Sequence, residues 1–157
     1  MARVLSKETL AEIQQLLPKY PTRLAVLGPS LHLAQKQLGH VSEEAALDVA
    51  DVLEIPATRV REMVSFYTMY YDRPVGRHVV KLCRNLACRS RGSEQIASKA
   101  KAILGIDFGE TTSDGRVTLE QDECLASCGT GPALWCDDTL VENLNEQKLE
   151  AFLAGLK

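Results

Sequence analysis

The stretch His78-Val79-Val80-Lys81-Leu82-Cys83-Arg84-Asn85-Leu86-Ala87-Cys88 decides the reading of this chain. Its first six residues form a short apolar run with β-branched side chains, the signature of a strand. The run ends on the first of two cysteines spaced C-x4-C. A second pair, in Cys124-Leu125-Ala126-Ser127-Cys128, is spaced C-x3-C and follows after 35 intervening residues. Each pair sits where a strand-like run gives way to a loop containing Gly and Ser. Two thiolates from one loop can bind one atom, and two such loops can close a shell of four. That shell suits a single zinc or the two irons of a [2Fe–2S] cluster.

The spacing favours the cluster. Structural zinc prefers C-x2-C knuckles. A wider C-x4-C loop leaves room for bridging sulfides and for N–H groups pointing at sulfur. The alternative is a zinc-stabilised interaction module with no redox role. The fifth cysteine, Cys136, lies in the run Ala133-Leu134-Trp135-Cys136 and reads as a small buried hydrophobe. An odd count of five cysteines fits four ligands plus one ordinary residue better than a disulfide framework. Arg77, Lys81, Arg84, Arg89 and Arg91 surround the first pair, and Glu120, Asp122 and Glu123 precede the second. Most of these read as solvated surface charges, although arginines would favour an anionic cluster.

The chain has 157 residues, 45% of them apolar and 25% charged, with a net charge of −3. That is room for one ordinary domain or two small ones. The acidic balance argues against a nucleic-acid binder. Two short helices around Ile55-Pro56-Ala57 have helix-turn-helix spacing, but the second carries few basic residues. No run approaches a membrane span, and the opening MARVLSKETLAEI has no secretory h-region. The expectation is a cytoplasmic protein without membrane insertion, whose clustered thiols bind metal. No Gly-rich phosphate loop is present, so neither nucleotide nor flavin is expected on this chain. His32, His40 and His78 show no ligand spacing and read as structural or surface groups.

The first 70 residues are helical in pattern. Leu10, Ile13, Leu16 and Leu17 give a helix over residues 7–17, broken by Pro18 and Pro21. A second is expected from Pro29 to Leu38, closed by Gly39. Ser42 is the expected N-cap of a third, which Pro56 stops, and a fourth covers residues 58–66. Strands are then expected at 78–83, 116–120 and 133–136, with a hairpin turn at Asp114-Gly115. Helices are expected at 93–104 and 146–156, giving a β–α–β–β–α second half.

Taken together, these residues resemble a known family. Tyr20-Pro21, Ala34-Gln35, Gly39-His40, Phe66-Tyr67-Thr68-Met69 and Arg73-Pro74-Val75-Gly76 fall in order ahead of the cysteines. Arg91-Gly92 and Gly131-Pro132 follow the two pairs. From about Tyr20 to Leu153 the chain resembles the 24-kDa-type [2Fe–2S] subunit of NADH:quinone oxidoreductase (complex I). Similar subunits occur in NAD-linked hydrogenases and formate dehydrogenases. The resemblance implies an α+β fold, with an N-terminal helical bundle (1–72) packed on a C-terminal thioredoxin-like [2Fe–2S] ferredoxin domain (73–157). It implies Cys83, Cys88, Cys124 and Cys128 as ligands of one [2Fe–2S] cluster and assigns no catalytic residue. It also implies a 51-kDa-type flavoprotein partner that binds FMN and NADH, other subunits of the complex, and a place in its peripheral arm. Cys136 after Trp135 and the compact segment 137–145 depart from the family pattern.

Overall fold

The computed structural model describes residues 3–157. The chain divides into two compact units, one running to Pro74 and the other from Val75 to Lys157.

The first unit is four helices: α1 (Lys7–Leu16), α2 (Leu27–Leu38), α3 (Glu43–Leu53) and α4 (Ala57–Phe66). Ser6 and Ser42 cap α1 and α3, each accepting a hydrogen bond from the N–H three residues on. Those bonds satisfy donors that a helix start leaves unpaired. Gly39 ends α2 with φ 80°, as its position in the sequence suggests. Three boundaries differ from the sequence reading. A 3-10 turn over Leu17–Lys19 follows α1. Helix α2 starts at Leu27, so Pro29 lies inside its first turn, where a missing N–H costs nothing. Helix α3 stops at Leu53 on a left-handed Glu54, and Pro56 instead precedes α4 as its N-cap. Apolar residues on the inward faces form a closed core around Ile13, Leu31, Val49, Leu53 and Val60. Each such side chain contributes about 1.5–3 kcal/mol by leaving water. The Gln35 side chain donates to Met69 O and accepts from Tyr71 N–H, both at 2.8 Å, and so holds the segment after α4 against α2.

The second unit is built on a five-stranded mixed sheet with order β2-β3-β1-β4-β5. Its strands are β1 (His78–Cys83), β2 (Glu110–Thr111), β3 (Val117–Asp122), β4 (Leu134–Cys136) and β5 (Thr139–Val141). Its helices are α5 (Leu86–Arg89), α6 (Ser93–Leu104) and α7 (Glu146–Gly155). Strands β1 and β3 are parallel, with α5, α6 and the edge strand β2 between them in the chain. Strands β4 and β5 form an antiparallel hairpin on the other side of β1. The sequence reading of three strands is therefore corrected to five. The two it missed are two and three residues long, too short for an alternation pattern. Val80, Leu119 and Leu134 from the sheet, Ile96 and Ala100 from α6, and Leu149 and Leu153 from α7 make this unit's core. Gly76 lies against β3: a Cβ there would stand 2.9 Å from the Thr118 nitrogen, so only glycine fits. Among the described residues no helix is long and apolar enough to cross a membrane.

Candidate metal centre

Parallel pairing sets the site. His78↔Val117 through Cys83↔Asp122 run in register, so β1 and β3 end side by side. The first cysteine loop leaves from the end of β1 and the second from the end of β3. The carboxyl ends of parallel strands are where open α/β sheets place their ligands. Arg84 N–H continues the ladder to Asp122 O at 3.0 Å, and Cys83 N–H donates to Ala133 O at 3.1 Å.

The first pair is built into the fold. Cys83 is the last residue of β1, and Cys88 sits on the short helix α5. Asn85 caps that helix, its side chain accepting from Ala87 N–H. Both sulfur-bearing residues are buried. Burial pushes the Cys88 thiol up to about 11, with the hydrogen bond to Cys83 adding to it and Cys128 a smaller contributor. A thiol so placed stays protonated in water, and a metal charge would take the proton's place.

The second pair is exposed and is held by polar contacts. Glu142, just after β5, accepts from the hydroxyls of both Ser127 and Thr130. These contacts hold its carboxyl below the usual range. Asn143 N–H donates to Thr130 O at 2.6 Å, and Leu144 N–H to Pro132 O at 3.0 Å. Arg91, from beyond the first loop, donates to Gly129 O at 3.0 Å. Arg84 and Glu123 form an ion pair from one loop to the other. Within the loop, Ala126 has φ 56°, a left-handed conformation that costs an alanine about 1–2 kcal/mol. Its N–H points at the Cys124 sulfur at 3.4 Å, the kind of donor that stabilises a thiolate. Local strain of this sort clusters at functional sites.

Gly131 closes the arrangement. A Cβ at this position would stand 2.8 Å from the Cys88 sulfur. The Gly131–Pro132 peptide is cis. The Cys88 sulfur keeps its position only because residue 131 has no side chain. A single tetrahedral zinc at about 2.3 Å from each sulfur would hold the sulfurs about 3.8 Å apart. Among the described residues, the one group of three or more potential ligands whose atoms all lie within 4.8 Å of one another is His78, Cys136 and Asp137. No three of the four sulfurs of Cys83, Cys88, Cys124 and Cys128 are that close.

Sequence reading placed the four cysteines on two loops, and the parallel register brings those loops to one end of the sheet. Cys136 is buried in the second core, as expected. The expectation that most of the arginines are simply solvated is only partly met, since Arg84 and Arg91 brace the loops. Helix α5, Glu142 and the Ser127–Thr130 staple were missed. Asn85 before Leu86 was a legible cap signal. Glu142 carried none, because its partners lie 12 and 15 residues back.

A mixed sheet with two cysteine loops at the ends of parallel strands is the arrangement of a small protein with a candidate thiolate metal site. Residues 13–157 match the model of the thioredoxin-like [2Fe–2S] ferredoxin family. Curated relatives agree. An NADH-quinone oxidoreductase subunit of Rhizobium meliloti is 36% identical over 93% of this chain and 87% of its own length. The corresponding NADH-quinone oxidoreductase subunit of Pseudomonas aeruginosa is 36% identical over 86% of this chain and 81% of its own. The chain therefore belongs to the thioredoxin-like [2Fe–2S] ferredoxin family and is related to these NADH-quinone oxidoreductase subunits. A solved NAD+-reducing [NiFe]-hydrogenase in the air-oxidised state shares the fold, with a TM-score of 0.73 at 18% identity. The match covers 83% of this chain and 22% of the hydrogenase chain.

Proposed function

We propose that Cys83, Cys88, Cys124 and Cys128 hold one [2Fe–2S] cluster, and that the chain is an electron-transfer subunit beside an NADH-oxidising flavoprotein. The observation that carries this reading is the close packing of Gly131 on the Cys88 sulfur, which any side chain at 131 would push out of place. Four thiols from two loops fit the donor set of such a cluster.

When bound, the cluster supplies one-electron transfer, exchanging electrons with the FMN of a 51-kDa-type flavoprotein that takes hydride from NADH. The chain's own residues orient and tune it. Cys83 and Cys88 anchor it on the buried side. The Ala126 N–H stabilises the Cys124 thiolate, and Arg91, donating to Gly129 O, brings positive charge to the second loop. Cys124 and Cys128 keep one side open, and Leu86, between Cys83 and Cys88 in the first loop, is 79% exposed. An apolar side chain so exposed beside an open redox site suits a docking partner.

The parent complex is complex I or a related NAD-linked hydrogenase or formate dehydrogenase, with the chain in a cytoplasmic peripheral arm. The helical segment 1–72 is assigned to partner contact and 73–157 to the cluster. Phe66, Tyr67 and Met69 offer exposed apolar surface for that contact. The isolated chain is expected to oxidise no NADH by itself.

Leu86→Asp tests the docking side. It should leave iron content and the cluster spectrum intact while cutting flavoprotein binding at least tenfold. Unchanged binding would remove Leu86 from the interface. No flavoprotein recovered with the wild-type chain under gentle isolation would count against the partner itself.

A further inference from the structure

The residues outside the four-cysteine site that carry metal chemistry meet at the far end of β1. His78 opens that strand, while Cys136 ends β4 and Asp137 begins the turn to β5. Their ligand atoms all lie within 4.8 Å of one another. The Asp137 backbone is left-handed, with φ 51°. Its Oδ1 accepts from Val79 N–H at 3.2 Å and its Oδ2 lies 2.7 Å from His78 Nδ1. The Cys136 thiol faces the same carboxylate.

The imidazole environment is the informative part. His78 Nδ1 faces a carboxylate oxygen, and Nε2 faces the main-chain oxygen of Lys157 at 3.1 Å. Both neighbours are acceptors only. A neutral ring carries one N–H and would leave one nitrogen lone pair against an oxygen lone pair. A doubly protonated ring satisfies both contacts, and a ring that donates from Nε2 leaves Nδ1 as a lone-pair donor for a cation once the Asp137 oxygen moves aside. A metal-bound histidine commonly donates its other N–H to a backbone carbonyl, and Lys157 O provides that acceptor.

We propose that His78 Nδ1, Cys136 Sγ and Asp137 Oδ2 form a second metal site for a zinc-class divalent cation, separate from the four cysteines. Imidazole, thiolate and carboxylate are all zinc donors, and three protein ligands leave a fourth position for water. A tetrahedral ion would hold these atoms roughly 3.3–3.6 Å apart by standard metal–ligand lengths. His78 Nδ1 and Asp137 Oδ2, now 2.7 Å apart, would have to open by about 0.6 Å and the thiol, within 4.8 Å, to close by about 1 Å at most, both within reach of side-chain adjustment. The partly exposed Asp137 gives the ion a path in from solvent, and the buried thiol gives it selectivity over magnesium and calcium, which prefer oxygen.

The proton balance is explicit. With the ring protonated, the divalent ion displaces one proton from His78 Nδ1 and one from the Cys136 thiol, and Asp137 is already a carboxylate. Once the ring is neutral only the thiol proton leaves. The charged groups facing the ring are Asp137 and Arg77. Arg77 opposes a cation there, so the affinity rests on the thiolate and the carboxylate.

The experiment uses the full chain, isolated anaerobically with its iron in place and dialysed against micromolar zinc, with iron and zinc counted together. One zinc per chain is expected beyond the iron, with iron unchanged. Near two protons should be released per zinc below the titration of His78, falling towards one above it. Cys136→Ala and Asp137→Asn should each weaken zinc uptake roughly tenfold or more and leave iron unaltered. The exposed Asp137 variant guards against loss of folding in the buried one. No zinc uptake by the wild type, or uptake undiminished in Asp137→Asn, would overturn the site. Iron is counted separately, so failure of the four-cysteine reading would show in iron and sulfide, not in the zinc lost with Asp137.

Discussion

The two cysteine loops hold matching chemistry by different means. The first is part of the fold: Cys83 is a strand residue, Cys88 is on a capped helical turn, and both are buried. The second lies at the surface, and its shape depends on a carboxylate, two hydroxyls and an arginine. Backbone structure fixes one half of the site and side-chain staples fix the other. Removing a side chain that builds the first loop should therefore disturb folding and cluster together, while removing a ligand or staple of the second should disturb the cluster alone.

The largest effect is expected at the seat between the loops. Gly131→Ala puts a Cβ against the Cys88 sulfur and should abolish cluster assembly, read as loss of bound iron. Normal iron in that variant would mean the cluster does not depend on where Gly131 holds the Cys88 sulfur. Next comes the contrast between the pairs. Cys88→Ala and Cys124→Ala should both lose the cluster. Only Cys88→Ala should lower the stability of the metal-free protein, by about 1 kcal/mol for the lost buried group. Equal denaturation midpoints for the two would break the distinction.

The staple sharpens it further. Glu142→Ala should leave the metal-free fold unchanged while shortening the half-life of the cluster under chelator several-fold. Glu142→Gln, which keeps one acceptor oxygen, should restore part of it. A smaller effect is expected from Ala126→Gly, which removes the cost of a left-handed alanine. It should stabilise the metal-free chain by up to about 1 kcal/mol, read from chemical denaturation.

The smallest effect concerns His78. Its contact with Asp137 raises its pKa above 6.5. That contribution is full below pH 6.5 and is lost as pH rises through the raised folded value. Half-exposed pairs of this kind contribute about 0.2–1 kcal/mol. In metal-free buffer, the melting-temperature gap between wild type and His78→Gln should shrink as the solution becomes alkaline. A gap that widens would contradict the sign.

Much of this was legible in the residues. HVVKLC and the helix Ser93–Leu104 were read with the bounds the structure shows, because long periodic runs between Gly and Pro leave little choice. The four cysteines were legible as a set through spacing alone. Strands β2 and β5 were not, since two or three residues are placed by their neighbours in the sheet. Glu142 was silent for a related reason: its role arises only when β5 returns the chain to the second loop. His78 and Cys136, 58 residues apart, meet only because β1 and β4 pair.

The most direct test of the central claim is to isolate the protein without oxygen, count iron and acid-labile sulfide, and record EPR spectra before and after reduction. About two irons and two sulfides per chain are expected, with a signal appearing only on reduction. Zinc bound by the four cysteines, with no sulfide and no signal even after attempted reconstitution, would contradict it and leave a structural metal module.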